Sequence, residues 1–373
     1  MNDLLEQANR LRPLLRSEAS LVEEKRRLTG PVLDALHEMQ AFHLQVTAAY
    51  GGPGCDTVSF LEIIESLSRA DPSSGWCAMV GSESSGCINA YANPEAAAAM
   101  LEVGKPGVAL TVVGEGQASV EADGFRVSGR WRFASSCRHA GWLGALATTA
   151  VAGEQKKLMF FVPATDAHLL DTWTTSGLVG TASDDFELDN VFVPEAFAVD
   201  LFAQPLDAAT TWRFPVSLRF AMSKAAALCG AARGAFDLLT PMLERTPFAG
   251  AQPAKEEARF HVMLAEAEAS IEGGRAYLYR TVNDAWSTLE TDGSLDIAAV
   301  ARVRLAVVFA ARKALEALNL MQEIGGTATS LDAAFDRFVR DMNVARHHLQ
   351  LQTHVLEDVG RVLVGKLPRN PLF

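Results

Sequence analysis

Residues 128–142 read SGRWRFASSCRHAGW, and this stretch decides between the fold classes that the rest of the chain allows. It overlaps a β-rich run over residues 125–133 and leads through a loop into a second β-rich run over residues 143–151. The dipeptide Asp123-Gly124, just before it, is a hairpin signal. Short strands joined in this way indicate a small β domain in the middle of the chain.

Further β-rich runs lie on both sides of this stretch, at residues 107–113, 158–162 and 186–193. Pro163 and Pro194 close two of them, because proline cannot donate a hydrogen bond to a continuing ladder. The composition changes at residue 105 and changes again near residue 200. We therefore predict a middle domain at residues 105–205, built as an antiparallel β-barrel or sandwich.

Helical patterns flank this β domain. Before it, apolar residues recur at helical spacing, and a long apolar pair of helices covers roughly residues 57–69 and 73–91. After it, Pro and Gly signals separate four long helical runs, at about 215–244, 254–289, 296–323 and 333–364. Four long helices with short connections indicate a bundle. The predicted fold class is α+β multidomain: an N-terminal α-helical domain (1–104), the β domain and a C-terminal four-helix bundle (206–373).

The final helical run has the clearest periodicity, with apolar residues three and four positions apart and polar Gln352 in the same series. We predict one continuous helix with one buried stripe. At about 100° per residue, His348 falls at the edge of that stripe, whereas His347 and His354 fall on the far face. This geometry directs His348 toward the interior and the other two histidines toward solvent.

Composition excludes several function classes. The chain has 373 residues, 49% of them hydrophobic, and a net charge of −12. An acidic chain is a poor partner for nucleic acid or anionic membrane, which need clustered Lys and Arg. Five scattered cysteines show no metal-binding spacing, and no apolar run is long enough for a membrane span. We expect a cytoplasmic protein without a metal site.

Several motifs, in their order along the chain, resemble the acyl-CoA dehydrogenase superfamily. Residues 50–54 (YGGPG) and 65–73 (ESLSRADPS) resemble its N-terminal signature. Residues 128–142 resemble its flavin-facing strand and loop, and their sequence is closer to that of the branch of two-component flavin-dependent monooxygenases. Residues 176–184 (SGLVGTASD) match that branch as well.

The C-terminal half continues the resemblance. Residues 321–326 (MQEIGG) resemble the Gln-x-x-Gly-Gly motif of the superfamily. Arg340-Asp341, with His348 eight residues after Arg340, resembles the C-terminal Arg-Asp…His motif of the monooxygenase branch. The likeness therefore covers nearly the whole chain, and it implies an acyl-CoA dehydrogenase-like fold.

The resemblance also implies a cofactor and partners. The cofactor is a flavin, either FAD or FMN, bound in its reduced form and delivered by a separate flavin reductase. The co-substrates are O2 and a small organic molecule, and the expected assembly is a homotetramer.

Site residues follow from the matched positions. Ser135 stands where a hydroxyl or amide meets the N5/O4 edge of the flavin, and Trp131 and Phe133 would line the ring. Ser136 replaces the glycine that the branch often has beside this edge. The substrate pocket would include Trp76, Ser82 and His348, where Ser82 occupies the position of a second branch histidine.

Four more residues match positions that reach the flavin of a neighbouring subunit in the family: Arg245, Gln322, Gly325 and Gly326. A pair of glycines allows close approach to a ligand. It is equally typical of the end of a helix. Both interpretations of Gly325-Gly326 stay open, and they are compatible with each other.

The missing carboxylate base favours oxygenation over dehydrogenation. An acyl-CoA dehydrogenase needs a base for the α-proton, and the usual family position is Leu349 here. The second family location falls near Ser223 or Lys224, and neither is acidic. Lack of a base slows proton transfer by about 10²–10⁴-fold. A histidine can instead deprotonate a phenol or amine, so we predict His348 and Ser135 as the catalytic residues of a monooxygenase.

Two alternatives remain at this point. One is an acyl-CoA or acyl-carrier thioester dehydrogenase with a relocated base. The other is a scaffold that binds flavin or another ligand without catalysis. The sequence leaves the substrate open, as well as the choice between C-hydroxylation and N-oxidation.

Overall fold

The computed structural model describes residues 2–102, 107–151, 153–244, 254–370 and 373. The predicted domain boundary at Lys105 and the predicted cofactor residue Arg245 lie outside these ranges. The described residues form an N-terminal helical region, a central sheet and C-terminal helices, which confirms the predicted acyl-CoA dehydrogenase-like fold class.

Five helices precede the sheet: α1 (Asn2–Lys25), α2 (Gly30–Glu38), α3 (Thr57–Ser68), α4 (Pro72–Tyr91) and α5 (Pro94–Met100). The strands are β1 (Val108–Thr111), β2 (Gly114–Glu121), β3 (Gly124–Trp131), β4 (Trp142–Val151), β5 (Glu154–Pro163), β6 (His168–Leu169), β7 (Phe186–Pro194) and β8 (Ala198–Val199). The later helices are α6 (Thr210–Arg213), α7 (Val216–Met242), α8 (Ala258–Asp292), α9 (Ile297–Gly325), α10 (Thr327–Leu331), α11 (Ala333–Ala345) and α12 (Thr353–Leu363).

The sheet is mixed, which corrects the prediction of a purely antiparallel domain. Its strand order is β6-β7-β3-β2-β4-β5-β8, with β1 also paired to β4. Both β1 and β2 run parallel to β4. The reason is the loop after β3: β3 returns antiparallel to β2, and the loop reverses the chain again before β4 begins.

Strand β2 escaped the sequence analysis because it has no apolar alternation. Only Gly116 is buried in it. A Cβ at Gly116 would lie 2.1 Å from Cζ2 of Trp131, so the Trp131 indole covers this strand. The strand is thus held by pairing and by a neighbour's side chain, and its own side chains give no signal.

The last helical run is two helices, so the prediction of one continuous helix is wrong. Helix α11 ends at Ala345, a 3₁₀ turn covers Leu349–Leu351, and α12 begins at Thr353. His348 has an extended backbone, and its Nδ1 accepts the amide N–H of Gln350 at 3.3 Å. This side chain-to-backbone bond caps the 3₁₀ turn and replaces a helical bond, so helical pairing does not continue from α11 into α12. Leu349, expected in the buried stripe, is 44% exposed.

One apolar core joins the N-terminal helices to the C-terminal bundle, and helix α4 lies at its centre. Almost every residue of α4 is buried, although the helix is rich in Ser and Gly. Small residues let neighbours approach closely: a Cβ at Gly86 would lie 2.8 Å from Cη2 of Trp212. No helix among the described residues has the length and apolar character needed to cross a membrane.

Candidate active site

Two loops face each other where the sheet meets the helices. The loop after β3 carries Ser135 and Ser136, and the segment before β7 carries Thr181 and Ser183. The Ser136 amide donates to the carbonyl of Thr181 at 2.8 Å. The hydroxyl of Ser183 lies 2.7 Å from those of both Ser135 and Thr181. These bonds hold Ser135 in a fixed position at the junction.

Phe133 leaves the sheet in a conformation that few residues adopt. Its backbone is left-handed, with φ of 59°, and its side chain is 52% exposed. Left-handed non-glycine residues are strained and cluster at binding sites. Ser136 is left-handed as well, with φ of 67°. The strain turns the phenyl ring out of the sheet, beside Trp173 at 6.2 Å between ring centroids.

Trp131 does not line this surface, which corrects its predicted role. Its side chain is completely buried in the β core and stacks on Phe186, with ring centroids 5.4 Å apart. Its indole N–H donates to the carbonyl of Leu146 at 2.8 Å. Trp131 is the last residue of β3 and points inward by strand alternation, whereas Phe133 lies beyond the strand. Of the two residues, only Phe133 has an exposed ring, and the guanidinium carbon of Arg132 lies 5.7 Å from its centroid.

Trp76 and His348 complete the junction from the helical side. Trp76 is the first residue of the second turn of α4. Asp71 caps this helix, and Pro72 lies in its first turn. The indole Nε1 of Trp76 donates to the hydroxyl of Ser135 at 3.3 Å. The ring of His348 meets Trp76 edge-on, with centroids 5.9 Å apart. The structure therefore brings together Ser135, Trp76 and His348, whose roles in catalysis and in a substrate pocket stay predictions.

His348 is a neutral imidazole with a defined tautomer. Burial, and secondarily the charge of Lys224, lowers its pKa to about 3. Because Nδ1 accepts from the Gln350 amide, the single proton belongs on Nε2. The Gln350 side chain in turn accepts from Arg304, so this turn is braced by the bundle. At neutral pH His348 is thus a hydrogen-bond donor through Nε2 and not a strong base.

Ser82 points away from this junction, which corrects its predicted place in the substrate pocket. Its hydroxyl accepts the amide N–H of Gln45 at 3.3 Å. Glu83 lies seven positions after Trp76, which is about two helical turns, so Glu83 and not Ser82 lies on the same helix face as Trp76. Counting turns from Trp76 would have identified Glu83 from sequence.

Glu83 forms a buried cluster with Ser223 and Lys224 of α7. One carboxylate oxygen accepts from the hydroxyl of Ser223, and the other accepts from Nζ of Lys224 at 2.5 Å. Burial raises the pKa of Glu83 and lowers the pKa of Lys224, so the two pKa values approach each other. The sequence analysis found no acid at Ser223 and Lys224. The structure supplies one from α4, with both of its oxygens engaged.

Gln322, Gly325 and Gly326 end helix α9. The amide of Gly326 donates to the carbonyl of Gln322 at 2.8 Å, and Gly326 has φ of 51°. A Cβ at Gly325 would lie 2.3 Å from Cγ2 of Thr329, whereas a Cβ at Gly326 would meet no atom within 4 Å. The helix-end interpretation is confirmed. Contact with a flavin of a neighbouring subunit stays a prediction.

Asp341 links the bundle to the loop before β7. Its Oδ1 accepts the amide N–H of Leu178 at 2.5 Å, while its Oδ2 is buried with no partner among the described residues. Burial, and then the charge of Asp71, raises its pKa from 3.8 to about 8. Leu178, whose amide bonds to Asp341, is left-handed, and so is Ala182 four residues later. A protonated Asp341 therefore stabilises the loop that bears Ser183.

We expect Asp341→Asn to weaken the pH dependence of stability. Between pH 3.8 and about 8 the folded state keeps a proton that the unfolded state has lost, so the wild type loses stability as pH rises. The loss is on the order of 1 kcal/mol per pH unit within this window. The measurement is the urea midpoint at several pH values, with Asp71→Asn as a variant that narrows the window. Parallel pH curves for wild type and Asp341→Asn would contradict the assignment.

Comparisons with known proteins agree with the observed fold. Two family models match more than half of the chain: the acyl-CoA dehydrogenase N-terminal domain at residues 9–103 and its C-terminal domain at 222–353. The chain is 27% identical to an indole-3-acetate monooxygenase of Pseudomonas putida, over 93% of this chain and 90% of that one. It is 28% identical to the oxygenase component of an FADH2-dependent resorcinol hydroxylase of a Rhizobium species, over 95% and 92%.

The fold also matches solved structures. XiaF from a Streptomyces species, in complex with FADH2 and glycerol, superposes with a TM-score of 0.90 at 23% identity, covering 99% of this chain and 97% of that one. The chain belongs to the acyl-CoA dehydrogenase superfamily, in its flavin-dependent monooxygenase branch.

Proposed function

We propose that the protein is the oxygenase component of a two-component flavin-dependent monooxygenase that oxygenates a small aromatic molecule. The observation that carries the proposal is the junction at which a neutral His348, Trp76 and Ser135 meet with no free carboxylate among them. The relatives named above act on indole-3-acetate and resorcinol, which supports an aromatic substrate. A separate reductase would supply the reduced flavin.

The residues present fit a flavin. The exposed ring of Phe133 offers a surface for an aromatic system. The hydroxyl of Ser136 is buried beside the thiol of Cys77, and no stronger donor or acceptor among the described residues bonds to it, which leaves a polar atom available to a ligand. When bound, a reduced flavin supplies the electrons and the activation of O2 that no side chain can provide. Phe133, Ser135 and Ser136 would hold it, Trp76 would fix Ser135, and the Nε2–H of His348 would orient the substrate or its oxygen.

Dehydrogenation by a relocated base is less well supported. Glu83 is the only buried carboxylate that the described residues place beside Lys224, and Ser223 and Lys224 occupy both of its oxygens. Taking up a proton would require Glu83 to give up its buried ion pair with Lys224, which makes it a poor base. The geometry therefore favours oxygenation.

The test supplies purified protein with chemically reduced FMN or FAD and isotopically labelled O2, together with indole-3-acetate, indole or resorcinol. We expect a product that carries one labelled oxygen only when protein and reduced flavin are both present. A protein that instead lets an acyl-CoA thioester bleach bound oxidised FAD, with no labelled product from any substrate, would be a dehydrogenase.

We expect Phe133→Ala to weaken binding of reduced flavin by about tenfold or more, because it removes the exposed aromatic face (~1–2 kcal/mol). The measurement is anaerobic titration with FMN and with FAD, which also decides between them. Phe192→Ala, on β7 and 38% exposed, is the matched control. Equal flavin affinity in the two variants would place the flavin elsewhere.

A further inference from the structure

Arg219 is a buried arginine of α7 to which the proposed chemistry gives no role. Its side chain is 4% exposed, and its guanidinium carbon lies 4.6 Å from the centroid of the Trp212 ring. Its Nη2 contacts Sγ of Cys87 at 4.0 Å. Both Nε and Nη1 are buried, and neither has a hydrogen-bond partner among the described residues. The neutral hydroxyl of Tyr91 also lies within hydrogen-bonding reach of the guanidinium. Buried donors of a charged group are rarely left unpaired, so Nε and Nη1 are arranged for an acceptor that the described residues do not supply.

The charges around Arg219 do not balance. No carboxylate of the described residues lies within ion-pair distance of it. Glu83 is engaged by Lys224, and that pair is neutral overall whichever partner holds the proton. Burial raises the pKa of the Cys87 thiol and of the Tyr91 phenol, so both groups near the guanidinium are uncharged. One unit of positive charge therefore stays buried and uncompensated, which favours binding of a single anion.

The guanidinium is also held in place. The Trp212 ring lies against Gly86, where any side chain would collide with it, and Arg219 lies over this same ring. Arg219 and Ser223 are one turn apart on α7, and Glu83 and Cys87 are one turn apart on α4. Arg219 thus lies in the interface between α4 and α7, which also contains Trp76 and Lys224. Arg219 and Lys224 are about 7–8 Å apart along the helix axis.

We propose that Arg219 binds the carboxylate of the substrate, so that the protein acts on small aromatic carboxylic acids whose ring lies toward Trp76 and His348. The proposal rests on the proposed function for the site of oxygenation. A carboxylate is a planar monoanion that matches the planar guanidinium fork and the single uncompensated charge. Arg219 is therefore a specificity residue, which recognises the substrate at the end away from the reacting atoms.

The experiment compares each carboxylate with its neutral amide. The full-length protein is titrated anaerobically, with reduced flavin present, with indole-3-acetate against indole-3-acetamide and with phenylacetate against phenylacetamide. We expect the wild type to bind at least one acid about tenfold or more tightly than its amide. Arg219→Met should bind acid and amide equally, whereas Arg219→Lys should keep part of the preference. Arg302→Gln, which removes an exposed positive charge on α9, should behave as the wild type does.

The ligand-free melting temperature tests the charge argument separately. Because Arg219→Met keeps the apolar stem over Trp212 and removes an unpaired buried charge, we expect it to melt at or above the wild-type temperature. A marked fall in melting temperature would make Arg219 a structural residue and overturn the proposal. No preference for any acid in the wild type, an unchanged preference in Arg219→Met, or equal competition by inorganic phosphate would overturn it too.

Failure of this inference can be separated from failure of the proposed function. If the wild type transfers oxygen and its acid preference does not depend on Arg219, only this inference is wrong. An acid preference that depends on Arg219, in a protein that transfers no oxygen, removes the proposed function and leaves the anion site.

Discussion

Replacing His348 with alanine should lower product formation about 10²–10³-fold while reduced flavin is still oxidised by O2. The neutral imidazole offers its Nε2 proton at the junction with Trp76, and alanine leaves that position without a donor. Oxygen would then be consumed without transfer to the substrate. The measurement is the ratio of product formed to reduced flavin consumed, with chemically reduced FMN or FAD added to the protein.

Two comparisons sharpen this expectation. His347→Ala changes the neighbouring exposed histidine and should leave the ratio near the wild-type value. His348→Gln keeps a side-chain N–H donor and should retain part of the activity. Equal ratios in His348→Ala and His347→Ala would remove His348 from the site.

The pH profile is a second readout for His348. Since burial lowers its pKa to about 3, it stays neutral as pH falls through 6.5, the usual value for histidine. The wild-type rate should therefore show no inflection near that pH that belongs to His348. An inflection there that disappears in His348→Gln would mean that the imidazole titrates during turnover and acts as a base.

Breaking the buried pair between Glu83 and Lys224 should have the largest effect on stability. Lys224→Met leaves a buried carboxylate without its cation, and such a loss costs about 3–5 kcal/mol. Glu83→Gln leaves the ammonium without its anion and should also destabilise the fold. The measurement is the apparent melting temperature together with the denaturant midpoint.

The double variant Glu83→Gln/Lys224→Met is the control for this argument. It removes both charges, so we expect it to recover most of the stability that Lys224→Met loses, as in a coupled double-mutant cycle. Additive losses in the double variant would show that the two side chains do not act as a pair. Lys224→Met should also raise the pKa of His348, because the charge of Lys224 is one of the two causes that lower it.

The sequence was sufficient where an argument depended on local order. The β-rich runs on both sides of residues 128–142, the helical runs before and after them, and the Gly325-Gly326 helix end all follow from neighbouring residues. Ser135 and His348 were found because each lies in a motif at a fixed position along the chain. The grouping of Ser135 with Trp76 and His348 was predicted by resemblance, and the structure places them together.

The sequence analysis failed where side-chain bonding and chain geometry overrode periodicity. The apolar spacing of residues 333–364 predicted one helix, yet α11 ends at Ala345 and the imidazole of His348 caps the 3₁₀ turn that follows, through the Gln350 amide. Strand alternation places residues 131 and 133 on the same face, and only the end of β3 at Trp131 and the left-handed backbone of Phe133 separate them.

Local order along the chain thus determined most of the elements, because helix and strand periods are properties of consecutive residues, and the ordered motifs indicated the family by resemblance. Only the tertiary structure decided which charges are buried together: Glu83 pairs with Lys224, and Arg219 pairs with no carboxylate of the described residues. Pairing across α4 and α7 joins residues more than 130 positions apart in sequence, since Ser223 meets Glu83 at a separation of 140. The cost of burying a charge depends on neighbours of that kind, and no window of sequence contains them.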